Sequence, residues 1–282
     1  MLFFNRGPVV PVLRFAGPIG MVTSLRPGLA LSSIAGPIER AFSTSKLPTV
    51  AIVINSPGGS PVQSNLIFSR IRQLAKEKDK RVYVFCEDVA ASGGYFLALA
   101  GDEIYADPSS IVGSIGVISA GFGFTKLIDR FGIERRVHTA GKDKGILDPF
   151  QPERPEDVVR LKELQRDVHD VFIGIVKERR AAKLKGTDDE LFNGAFWSAA
   201  KAQELGLIDG IADLRSKMQQ LHGEKVRLRV MPMERGGLLS RLRRLPGFNA
   251  DFTQSGIALP ASLTDDLVST IEARALWSRF GL

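Results

Sequence analysis

The apolar positions of this chain keep two rhythms, and the switch between them predicts its elements. Short unbroken apolar runs, 50–54 in "LPTVAIVINSPGGS" and the "RVYVFC" ending at Cys86, read as buried strands. Between them, 61–76 places Leu66, Ile67, Ile71 and Leu74 at helical spacing. The strand-like "VVPVLRFAGPIG" runs into a Gly-Pro turn, and "LALSSIAGPIERAFST" has helical character. After Cys86 the pattern predicts a helix over 94–100, then two short β-like runs, "DEIYAD" and "IVGSIGVIS". "FTKLIDRFG" reads as a helix closed by Gly132, and "IERRVHTA" as another strand. The longest helix is expected over 155–183, with Leu161, Leu164, Val168, Val171, Phe172 and Ile175 on one stripe. "SAAKAQELGLIDGIADL" reads as a helix with a Gly206 C-cap and a short exit strand.

Strands alternating with helices imply an α/β fold, a mostly parallel sheet with flanking helices. The composition shifts after about Leu221. "EKVRLRVMPMERGGLLSRLRRLPGF" is basic and broken by glycine and proline, and "DDLVSTIEARALWSRF" is expected to form a last amphipathic helix. The expected division is a catalytic-type domain over 1–221 and a basic, amphipathic appendage over 222–282.

Composition narrows the function classes. The 282 residues are 44% hydrophobic and 24% charged, with a net charge of +7, which suits a soluble globular protein. No basic run is interleaved with aromatics, so no nucleic-acid partner is expected. Cys86 is the single cysteine and sits in a strand, where a buried thiol is expected. His138, His169 and His222 make no metal-ligand spacing with it, so no metal is expected. The N-terminus lacks a charged region ahead of an apolar core, and no apolar stretch reaches the about 18 residues that span a bilayer. The expected location is cytoplasmic, with any membrane contact peripheral, at the inner face. Leu238, Leu239, Leu242 and Leu245 among four arginines in the tail would suit an anionic bilayer surface or a neighbouring subunit.

Two glycine turns carry candidate chemistry. "INSPGGS" ends the 50–54 strand, and its adjacent glycines let backbone N–H groups approach a phosphate or the oxygen of a tetrahedral acyl intermediate. "AASGGYF" sets Ser92 on a second turn, where the N–H of Gly93 would point the same way as the Ser92 hydroxyl. Ser92 reads either as a nucleophile or as a helix N-cap. No histidine is evidently placed to take its proton. His138 lacks an aspartate partner, and His169 lies within the long helix.

Together these motifs resemble the signal-peptide-peptidase-A (protease IV) and SohB-like serine protease family, a branch of the Clp-protease/crotonase-like fold. The resemblance runs over about 47–213 and rests on five segments in order: "NSPGG", "ASGGY", "ADPSSIVGSIGV", "GKDKGILDPF" and "AQELGLIDGI". It implies a Ser-Lys dyad, with Ser92 as nucleophile and a lysine from "GKDKGILDPF" as base. Lys144 matches the family position best and Lys142 competes with it, because Asp143 departs from the residue the family usually places before its lysine. A lysine base requires burial to lower its pKa by about three units from about 10.4, and Asp143 and Asp148 would oppose that if close. The resemblance further implies that Ser114 orients the lysine amine, and that the N–H groups of Gly59 and Gly93 hold the oxyanion. It implies signal peptides or other unfolded or membrane-derived segments as substrates, no cofactor, and a homo-oligomer in which neighbouring copies can complete a site. A crotonase-type acyl-CoA hydratase or thioesterase and a non-catalytic peptide-binding scaffold are the other classes these glycine turns admit.

Overall fold

The computed structural model describes residues 7–20, 28–233, 270–271 and 273–282. The basic segment with Leu238, Leu239, Leu242 and Leu245 lies outside the described residues. The elements in chain order are β1 (Val9–Ala16), α1 (Leu31–Thr44), β2 (Thr49–Ser56), α2 (Pro61–Glu77), β3 (Arg81–Ala91) and α3 (Gly93–Ala98). Then come β4 (Glu103–Ala106), β5 (Ile111–Gly113), α4 (Thr125–Arg130), α5 (Pro155–Arg180) and α6 (Asp188–Leu191). The last are β6 (Phe196–Ser198), α7 (Ala199–Glu204), β7 (Gly210–Ile211), α8 (Leu214–His222) and β8 (Arg227–Val230).

The strands form one mixed sheet in the order β6-β5-β3-β2-β1-β8, with β4 against β3 and β7 against β4. All pairings are parallel except β5 with β6. The expected α/β class, mostly parallel with flanking helices, is the architecture observed. The apolar run of β2 explains its central place, since successive side chains of a strand point to opposite faces and both faces are covered. Val50, Ile52 and Ile54 enter the large cluster under α1, α2 and α3. Ala51 and Val53 enter a smaller one that receives Met218 of α8. Helix α2 starts where Ser60 accepts the Gln63 N–H and Pro61 takes the first turn, and it buries Ile67, Phe68, Ile71 and Leu74. Each of those side chains contributes about 1.5–3 kcal/mol relative to exposure.

Strand β3 is long enough to serve two neighbours on one edge. Its first half pairs β4, from Tyr83 with Glu103 to Cys86 with Ala106. Its last three residues pair β5, Val89 with Ile111 through Ala91 with Gly113. The chain therefore leaves β3 beside β5, and residue 92 emerges between β5 and the end of β2.

Four expectations are corrected. Residues 133–140 form no strand and are exposed throughout, and among the described residues no strand pairs with them. "IVGSIGVIS" is a strand only over Ile111–Gly113. Helix α5 ends at Arg180, and Ala181 at φ 38° turns the chain into a short 3-10 segment. The basic stretch after residue 222 opens with β8, which pairs β1 from Val9 with Arg227 to Val12 with Val230. Residues 226–231 thus belong to the sheet and its core, with Val226 and Met231 buried. Arginines alternating with Leu228 and Val230 suit an edge strand, a pattern that reads as loop when only charge is counted.

Helix α5 is locked to the sheet through Asp209. This carboxylate accepts from Arg180 at 2.8 Å, from Lys183 at 2.7 Å and from the Ile104 N–H at 2.8 Å. Burial alone would push the carboxyl up, but these hydrogen bonds outweigh it and hold the pKa below the ordinary value. Arg180 is only 2% exposed, so losing its partner would strand a buried cation. Asp209→Asn should destabilise the fold by about 3–5 kcal/mol in urea denaturation. A depressed carboxylate contributes its stability in full above its unfolded pKa, about 3.9, and loses it as pH falls through the folded value. The gap between wild type and Asp209→Asn should therefore narrow on acidification below about pH 4, and a constant gap would refute this account.

Candidate active site

Ser92 occupies the turn between β3 and α3 with φ 52° and ψ −122°, a conformation that costs a non-glycine residue about 1–3 kcal/mol. Its N–H donates to Gly113 O of β5 at 2.8 Å, and its carbonyl accepts from Phe96 N–H at 2.9 Å. From 89 to 101 every residue is buried except Ser92. The strained turn thus pushes one hydroxyl out of an otherwise closed core. The capping alternative fails, since the Ser92 side chain makes no capping hydrogen bond to α3.

The turn after β2 packs directly on this elbow. A Cβ on Gly58 would lie 2.8 Å from Ser92 Cβ and 2.9 Å from Gly93 N, and Gly58 has φ 105°. The turn is pinned from behind, where Ile19 N–H donates to Gly58 O at 2.8 Å and Ser60 N–H to Ile19 O at 2.9 Å. Among the described residues neither Gly59 N–H nor Gly93 N–H donates a hydrogen bond. Gly59 N lies 3.3 Å from where a Gly93 Cβ would be. Two unpaired donors beside one half-buried serine form an arrangement that can receive the negative oxygen of a tetrahedral adduct. Ser92, Gly59 and Gly93 line a single pocket, whose apolar wall includes Phe96, Val117 and Phe172.

Ser114 follows Gly113, the residue that holds the Ser92 N–H. It is buried, has φ 53°, and donates its own N–H to Ala195 O at 2.7 Å. Lys144 and Lys142 are exposed, and neither lines the Ser92 pocket. They sit in a projecting arm, roughly 118–150. The arm's aromatic rings Phe122, Phe124 and Phe150 follow one another as tilted pairs, with centroids 6.3 and 5.5 Å apart. The two acids next to Lys144 are already engaged: Asp143 pairs with Arg160 at 2.6 Å and Asp148 with Arg135 at 2.9 Å. The hydrogen bond from Arg135 holds the Asp148 carboxyl below its ordinary range.

The remaining candidates fall away from Ser92. His138 is exposed on the arm, and His169 Nε2 lies 3.1 Å from Ile115 O. Burial pushes the Cys86 thiol up to about 12, which leaves no thiolate at neutral pH. Sequence reasoning missed the α5 contribution to the pocket. Phe172 is buried, but Val168 and Val171, expected on the same core stripe, are exposed to the pocket side. All three line the Ser92 pocket, and helical spacing alone does not tell a stripe that fronts a pocket from one that fronts the core.

The model of peptidase family S49 matches residues 74–227, more than half of the chain. The chain belongs to peptidase family S49. That family is one of serine peptidases, and the match includes Ser92, Ser114 and both candidate lysines. A Brucella abortus protein named "Na(+)/H(+) antiporter NhaA" is 55% identical over 278 residues, 97% of this chain and 37% of that protein. A putative protease of Synechocystis is 32% identical over 198 residues, 66% of this chain and 70% of the relative. The chloroplastic serine protease SPPA of Arabidopsis thaliana is 29% identical over 219 residues, 72% of this chain and 32% of the relative. This S49 chain therefore spans little more than a third of the length of the antiporter-named relative.

The S49 elbow also depends on space. A Cβ on Gly94 would lie 2.4 Å from the backbone oxygen of Ser56, so β2 or α3 must shift to admit it. Gly94→Ala should destabilise by about 1–3 kcal/mol, as overpacking does. Gly174→Ala is the opposite case, since its Cβ would meet nothing within 4 Å in the middle of α5. That substitution should stabilise by about 0.5–1 kcal/mol. Thermal unfolding of the two variants checks both signs, and equal shifts would refute the close approach.

Proposed function

We propose that this chain is a serine endopeptidase in which Ser92 is the nucleophile, Lys144 the base, and Gly59 and Gly93 the oxyanion donors. The strained elbow at Ser92 beside two unpaired N–H groups carries this reading, and membership of a serine peptidase family supports it over acyl-CoA chemistry. The Ser92 hydroxyl attacks the peptide carbonyl while the neutral lysine amine takes its proton. The carbonyl oxygen becomes an oxyanion between the two N–H groups. Collapse releases the amine, which receives the proton from the lysine, and water then repeats the sequence on the acyl-serine.

A lysine works as a base near neutral pH only after burial lowers its pKa, and Lys144 is exposed in the single chain. We infer that a second copy of the chain covers it and that the dyad is shared between protomers, with Ser114 orienting the amine. The arm supports this reading: α4 buries none of its residues, and Phe122 and Phe131 are 82% and 69% exposed. With Asp143 and Asp148 held by arginines, the nearby carboxylates do not oppose the shift through direct pairing with Lys144.

An extended peptide would pair with the backbone of 116–119, which makes no hydrogen bond among the described residues. The apolar wall at Val117, Val171 and Phe172 suits unfolded or membrane-derived segments, signal peptides among them. No helix of the described residues is long and apolar enough to cross a membrane. The likeness to an antiporter-named protein supports a place at a membrane.

Mixing Ser92→Ala with Lys144→Ala after subunit exchange tests the shared dyad. Each variant alone should lose several orders of magnitude in casein cleavage, and the mixture should recover part of it. No recovery with exchange verified would place the dyad within one protomer. Full activity in Ser92→Ala would overturn the peptidase mechanism. With chemistry rate-limiting, wild-type activity should rise from acid towards mildly alkaline pH as the lysine loses its proton, and a flat profile would overturn the lysine base.

A further inference from the structure

Helix α5 continues past the Ser92 pocket as the wall of a second groove. Val117 belongs to both, and the second is completed by Val159, Lys162, Gln165, Arg166 and His169. His169 ties this wall to the unpaired edge through Ile115 O. The groove is therefore a continuation of the path an extended peptide would take from Ser92.

The charges of α5 divide according to that groove. Arg160 pairs with Asp143, Lys177 with Asp188, Arg179 with Asp102 and Arg180 with Asp209. Lys162 and Arg166 are the other two basic residues of the helix, and neither makes an ion pair among the described residues. Glu163, Asp167 and Asp170 lie on the same helix, but none of them lines the groove. Two unpaired cations thus stand over an apolar strip, with no acid of the described chain turned into it.

We propose that Lys162 and Arg166 select substrates carrying an acidic side chain a few residues from the cleaved bond, an inference that rests on the peptidase reading of Ser92. The spacing follows from two regular rises. Arg166 and Lys162 lie five and nine residues from Val171, about 7 and 14 Å along a helix that rises 1.5 Å per residue. An extended peptide covers about 3.3 Å per residue, so the acidic side chain sits about two to four residues from the scissile carbonyl. Arginine offers a planar fork to a carboxylate and lysine a mobile point charge, so the pair tolerates either Asp or Glu.

Binding to the full-length Ser92→Ala protein separates recognition from chemistry. Short fluorescein-labelled apolar peptides carrying one Glu or one Lys at successive positions are titrated by anisotropy. The best-placed Glu peptide should bind about threefold to tenfold tighter than its Lys counterpart at low salt, with the difference shrinking as salt screens the exposed pair. Adding Lys162→Glu and Arg166→Glu should reverse the preference. Circular dichroism confirms that this protein is folded, and Lys162→Gln with Arg166→Gln, which should abolish the preference, replaces it if it is not. Equal binding, no binding, or a preference unchanged by charge reversal would overturn the inference. Cleavage of the same peptides by wild type is read separately. A Glu preference in binding without any cleavage would overturn the peptidase reading and leave the recognition intact. Cleavage without a charge preference would overturn only the recognition.

Discussion

The contact between two backbone turns, Gly58 against Ser92, is the constraint on which the rest of the site depends. Ser92 keeps φ 52° because β5 takes its N–H and because the buried helix α3 begins one residue later. The cost of about 1–3 kcal/mol at one residue is small beside the apolar surface that α3 buries. That arrangement needs β3 to run past β4 and end beside β5. A shorter β3 would leave the Ser92 N–H without its partner and the hydroxyl without a fixed direction. The length of one strand therefore sets the geometry of the proposed nucleophile.

The same contact accounts for the glycine pairs. A side chain at 58 would enter the space of Ser92, and one at 94 would meet the Ser56 backbone oxygen. Both turns that bracket the pocket therefore hold positions with little tolerance for a Cβ. Ile19 holds the first turn through backbone hydrogen bonds to Gly58 and Ser60. Asp209, far along the chain, holds α5, which supplies the opposite wall of the pocket.

What could be read in the sequence was the part governed by local pattern. The apolar runs of β2 and β3, the helical spacing of α2 and the glycine turns each carry their signal within a few residues. Residues 133–140 carry strand-favouring residues such as Ile133, Val137 and Thr139, yet no strand among the described residues pairs with them, and pairing cannot be read from one segment. Strand β8 shows the converse: its arginines hide an edge strand that β1 recognises from more than two hundred residues away. The Ser92 turn was legible, but its wall from α5 was not, because Val168, Val171 and Phe172 stand at the spacing of a core stripe and only the fold shows that this stripe fronts the pocket. Lys144 stood out in its motif, while its exposure in a single chain could be seen only in the fold.

In the proposed assembly, that exposure and the exposed rings of the arm would have one physical resolution. Apolar surface of this kind is costly in water, and a lysine in water holds its proton too firmly to act as a base near neutrality. Covering the arm with a second copy would relieve both at once, since the burial that stabilises the contact also disfavours the charged ammonium. The arginines at 135 and 160 would then matter as much as the lysine. By pairing with Asp148 and Asp143 they keep two carboxylates from pairing with the ammonium and restoring its charged form. On the proposed reading the base would exist only where the subunits meet, and a dissociated chain would carry a folded elbow with nothing to take its proton.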